Sequence, residues 1–81
     1  MTIYKITHRY YYGEKPHECN DHTEAYVATL DFAHEFVKTI LGEDAKCDDN
    51  WGLFESWTAP HLPRIEYLID PVRVLEDKDN V

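Results

Sequence analysis

The chain has 81 residues, 16 Asp plus Glu against 8 Lys plus Arg, a formal net charge of −8, and 14% aromatic residues. A chain this short buries only about 60% of its unfolded surface on folding, which allows one core and argues against a second domain or a large enclosed active site. Aromatic content of this order supplies the apolar area that disordered chains lack, and the excess of acid over base argues against direct nucleic-acid binding, because phosphate affinity comes largely from Lys and Arg.

Residues 1–81 read as one domain. Thr2 to Tyr12 is rich in β-branched and aromatic residues, with Tyr4, Ile6, His8, Tyr10 and Tyr12 alternating against Ile3, Lys5, Thr7, Arg9 and Tyr11, which predicts a strand. Gly13-Glu14-Lys15-Pro16 ends it, and the polar stretch to Asp21 reads as a loop. The next segment has two readings. Asp21-His22-Thr23-Glu24 has the form of a capping box, which allows one helix from about His22 to Leu41. Alternatively, Glu24 to Ala28 is a short strand and Thr29 caps a helix over Leu30–Leu41; this version is favoured because Tyr-Val-Ala-Thr ahead of an apolar helical period suits a hairpin feeding a helix. Gly42 stops the helix in both. Ala33, Phe36, Val37, Ile40 and Leu41 are expected to face a sheet, with Asp31, Glu35 and Lys38 in water.

An acidic loop, Glu43 to Asn50, follows, then an alternating segment Trp51 to Thr58 that predicts another strand. Arg64 to Ile69 and Val72 to Leu75 read as two short strands separated at Asp70-Pro71, because proline cannot donate a central ladder bond. Glu76 to Val81 is a charged tail expected to fray. The sum is an α+β fold of order ββαββ, a mostly antiparallel sheet of four or five strands with one helix on one face.

No apolar run approaches the ~18 residues of a membrane span, and Met1-Thr2-Ile3-Tyr4-Lys5 has no basic region leading into an apolar stretch, so a cytoplasmic protein without a membrane partner is expected. In a reducing compartment Cys19 and Cys47 are expected as free thiols. His17, Cys19 and His22, with Cys47 as a distant fourth, are the residue types zinc takes, but they lack the paired spacing of zinc fingers, so a plain polar loop is the simpler reading and no cofactor is implied. Ser56 has no elbow glycine, and the adjacent acids show no cleft that would separate two carboxyl pKa values, so an enzyme is not expected.

The charge is concentrated in the middle. Residues 21–50 hold eight acids and two bases, whereas residues 1–20 hold two acids and three bases. Asp31, Glu35, Glu43, Asp44, Asp48 and Asp49, with Trp51 and Trp57 nearby, have the composition of a patch that meets an Arg-rich partner: carboxylates steer the encounter and aromatics anchor it. Each Trp equally suits the core of so small a domain, and a charged run equally suits a solvated face. Aromatics on both faces of the first strand leave room for a homodimer.

Size, acidity and the order hairpin, capped helix, strand running through Tyr26-Val27-Ala28-Thr29-Leu30 and Ala33-His34-Glu35-Phe36-Val37 resemble, at class level and over most of the chain, the small phage-encoded inhibitors of host defence, anti-CRISPR proteins among them. The resemblance implies a viral protein that acts in the host cytoplasm on a nucleic-acid-handling complex, offering carboxylates where that complex expects phosphates. The near-neutral first quarter departs from a whole-surface mimic and points to a local acidic patch. The alternatives are an antitoxin or immunity-type protein that neutralises a basic toxin, and a small metal-binding protein.

Overall fold

The computed structural model describes residues 1–49 and 52–74; the expectations for Trp51 and for the tail Glu76–Val81 lie outside the described residues. Strand β1 (Thr2–Tyr11) is the strand that alternation predicts, and it pairs antiparallel with a neighbour on each side. Tyr4, Ile6 and His8 turn to one face; Lys5, Thr7, Arg9 and Tyr11 turn to the other.

Strand β2 (Cys19–Val27) starts earlier than expected, inside the stretch read as a loop. Cys19 to Glu24 is uniformly polar, so no period marks it as strand; it is extended because Tyr11↔Cys19 and Tyr10↔Asn20 continue the ladder along β1. The Tyr12 N–H, donating to the Glu18 carbonyl at 3.0 Å, closes the hairpin. A bulge interrupts the ladder: Ile6 pairs with Ala25 but Thr7 pairs with Thr23, so Glu24 is the extra residue. Ala25 and Val27 therefore follow Ile6 and Tyr4 toward the helix, while Thr23 and Asp21 follow Thr7 and Arg9 to the opposite face.

Helix α1 (Leu30–Leu41) has the favoured boundaries. The Thr29 hydroxyl accepts the Phe32 N–H at 3.2 Å, Asp31 sits in the first turn, and Gly42, at φ +91°, donates its N–H to the Lys38 carbonyl. The buried stripe is narrower than expected. Ala33, Val37 and Leu41 are buried, Phe36 is half-buried, and Phe32 and Ile40 are 57% and 43% exposed. A lone helix on a sheet buries the line pointing straight down, and no second helix among the described residues covers its flank.

The segment expected as an acidic loop contains a strand, β3 (Lys46–Asp49), while the strand expected from Trp51 begins only at β4 (Glu55–Thr58). The two pair from Lys46↔Thr58 to Asp49↔Glu55. The last strand, β5 (Ile65–Arg73), runs through Asp70-Pro71 without the expected break. β4 pairs with β5 only as far as Ile69, so Pro71, opposite Tyr4 on β1, lies where β5 has a neighbour on one side only and a missing N–H is tolerated.

The result is one five-stranded antiparallel sheet of order β2-β1-β5-β4-β3, with α1 on one face and β2 and β3 as edges. Ile6, Ala33, Val37, Leu41, Trp57, Tyr67 and Ile69 form the core between helix and sheet. No helix among the described residues is long and apolar enough to cross a membrane.

Candidate functional site

The acidic residues are divided by the fold. Glu43 and Asp44 form the turn after α1, and β3 follows directly, with all four of its residues, including Asp48 and Asp49, exposed. These four carboxylates therefore share one sheet edge, with Lys46 among them. Asp31 lies three residues before His34, and helical spacing puts it on the flank that faces β4. Glu35 does not join this group; it borders an apolar groove formed by Phe32, Phe36, Thr39 and Ile40 on the other flank. Trp57 is 5% exposed within the core, which removes it as an exposed anchor for a partner.

Trp57 is instead part of a polar cluster behind the acidic edge. Glu55 Oε1 accepts the Trp57 indole N–H at 3.0 Å and lies 2.7 Å from His34 Nε2. Lys38 Nζ stands 5.6 Å from the centre of the Trp57 ring, within cation–π reach. Cys47 pairs with Trp57 across the ladder, and its thiol pKa is pushed up by partial burial and then by the negative charges of Glu55, Asp49 and Asp48. The raised pKa keeps the sulfur protonated, which opposes a nucleophilic role. It also registers the negative potential along this edge.

The second polar cluster lies on the face that α1 leaves open, and sequence reading missed it. Arg9 on β1 donates from Nε and Nη2 to the two carboxylate oxygens of Asp21 on β2 at 2.6 and 2.9 Å, a bidentate fork. Its Nη1 lies 3.6 Å from Glu66 Oε1 on β5, and the Tyr11 hydroxyl donates to the same oxygen at 2.7 Å. The bulge at Glu24 makes this possible by turning Asp21 to the open face; nothing in the local sequence signals it. Partial burial and the bond to Glu66 raise the Tyr11 pKa, and the bond to Asp21 raises that of Arg9 further above its ordinary value.

Bonding to Arg9, aided by the charges of Arg9 and Lys5, holds Asp21 below its ordinary pKa of 3.8. A carboxyl whose folded pKa is depressed contributes stability that is present above its unfolded pKa and is lost as pH falls through the lower folded value. Asp21→Asn is therefore expected to be less stable than the parent at neutral pH, and the gap is expected to close as pH drops below 3.8. Urea midpoints measured across that range check it, and a gap that does not change with pH contradicts it.

The suggested metal ligands are dispersed. Cys19 opens β2 at one sheet edge and Cys47 sits on β3 at the other, four inter-strand spacings or roughly 19 Å apart, too far for a shared ion or a disulfide. His17 is exposed in the loop before β2, and His22 is exposed on β2 opposite His8. Among the described residues no group of three or more His, Cys, Asp or Glu is placed to hold a metal ion. Set against protein families, curated proteins and solved structures, the chain matches no family model, no curated protein and no solved structure.

Proposed function

We propose that this protein is a binding module, not an enzyme, and that its β3 edge occupies a basic surface of a nucleic-acid-handling protein. The observation that carries the reading is the gathering of Glu43, Asp44, Asp48 and Asp49 on one exposed sheet edge. Asp21 and Glu66 are bonded to Arg9 and Glu55 to His34 and Trp57, while at the edge itself Asp49 Oδ1 accepts the Gly52 N–H at 3.0 Å and still stands exposed. A short, charged edge strand also resists pairing with other chains' strands, so contact there is made by side chains and not by a shared ladder. The resemblance to small inhibitors of host defence supplies the target class: a surface built from Lys and Arg to hold phosphates accepts carboxylates by the same charge-assisted bonds.

The test compares the parent with a variant neutralised at Glu43→Gln, Asp44→Asn, Asp48→Asn and Asp49→Asn, against purified RNA-guided nuclease complexes and a purified basic ribonuclease toxin. The Debye length falls from about 10 Å at 0.1 M salt to about 3 Å at 1 M, so binding through this edge weakens steeply with salt. Neutralisation is expected to weaken it at least about tenfold and to flatten the salt dependence. Unchanged affinity of the variant would discard the edge, and binding to the toxin alone would replace the proposed target with the antitoxin reading.

A further inference from the structure

The open face of the sheet carries a shallow depression of about 300 Å3 beside the Arg9–Asp21 fork. Its size is at the lower end of small-molecule sites, which restricts it to a compact ligand. Thr7 and Leu68, register partners on the central strands β1 and β5, lie in it and are both buried, at 6% exposure each, although no helix among the described residues covers this face. Phe54, just before β4, forms an aromatic wall.

The charges at the rim are unusual. Lys5 and Asp70 face each other as direct antiparallel partners, a position in which opposite charges ordinarily close on one another. They form no ion pair here, and neither side chain has a hydrogen-bond partner among the described residues; the charge of Lys5 is felt instead by Asp21. Arg9 is occupied by Asp21 and Glu66 and has no fork left for a ligand carboxylate. Among the described residues one cation and one anion therefore remain, on adjacent strands, at the mouth of a mostly polar pocket in which Leu68 and Phe54 supply the apolar surface.

We infer that this depression binds a small zwitterion of the α-amino-acid type, with its carboxylate on Lys5, its ammonium on Asp70 and an apolar side chain over Leu68 and Phe54. A ligand with one charge would leave either Lys5 or Asp70 partly desolvated and unpaired, which costs free energy, whereas a zwitterion satisfies both. The site does not depend on the acidic edge, so the two proposals stand or fall separately.

The test is a titration of the full chain with L-leucine and L-phenylalanine, followed by two-dimensional amide NMR. N-acetyl-L-phenylalanine and L-phenylalanine amide serve as probes that each keep one charge. Saturable shifts at Lys5, Thr7, Leu68 and Asp70 with the free amino acids are expected, with at least about tenfold weaker binding of both derivatives, about 1.4 kcal/mol. Lys5→Met and Asp70→Asn are each expected to produce a loss of the same size with unfolding midpoints close to the parent's, while neutralising Asp48 and Asp49 changes nothing. Absence of saturable shifts overturns the inference. So does equal affinity for either derivative, a result that needs no variant to fold.

Discussion

Ile6→Ala is expected to lower the unfolding free energy by about 2–5 kcal/mol, the largest effect of any single truncation considered. Ile6 is fully buried in the middle of β1, the strand with a partner on each side, and packs in the core with Val37, Leu41 and Ile69. Truncation removes its transfer free energy and leaves a cavity that a strand held by two ladders cannot close. A domain of this size holds a total stability of only several kcal/mol, so the variant should be partly unfolded in water or show a urea midpoint lower by about 1–3 M. Phe32→Ala removes a larger side chain, but from a residue 57% exposed on the flank of α1, and should move the midpoint far less. Urea unfolding followed by circular dichroism decides between them; equal shifts would mean that the core is not where burial places it.

The second large effect belongs to Glu55. Glu55→Ala withdraws the acceptor of the Trp57 indole N–H and the partner of His34 at one stroke. Trp57 is buried and its N–H loses its side-chain acceptor, at a cost of about 1–3 kcal/mol. Glu55→Gln retains an acceptor oxygen while removing the charge, and should recover part of that loss. The charge of Glu55 also helps to hold the Cys47 thiol pKa up, so both variants should alkylate faster at Cys47 near neutral pH. Stability is read from urea unfolding, and reactivity from the iodoacetamide rate in a Cys19→Ser background. A Glu55→Ala protein as stable as the parent, with unchanged alkylation, would show that this cluster is not coupled as its distances imply.

Some of the polar chemistry was legible before folding and some was not. The four carboxylates of the β3 edge stand within seven residues of sequence, so their joint exposure needs only a short strand to display them. The Glu66–Tyr11 bond and the rim charges Lys5 and Asp70 join residues up to 65 positions apart and exist only because β5 inserts between β1 and β4, and the Arg9–Asp21 fork depends on the bulge in the β1–β2 hairpin. Trp57 shows the ambiguity at its sharpest. Alternation places it on a strand face, but whether that face meets the helix or the solvent is a property of the sheet as a whole.

By itself the sequence determined what short-range chemistry controls. The helical period up to its stop at Gly42, the alternating first strand and the concentration of acid between residues 21 and 50 follow from backbone preference and side-chain character within a few positions, whereas the start of the helix at the Thr29 cap, one of two readings the sequence allows, was settled by the fold. Tertiary structure alone decided the start of β2, the existence of β3 and the passage of β5 through Pro71, because a strand's stability resides in its partner's ladder and not in its own residues. It also decided that Asp21, Glu55 and Glu66 bond to other side chains. A single bulge at Glu24 turns Asp21 to the open face, where Arg9 takes it.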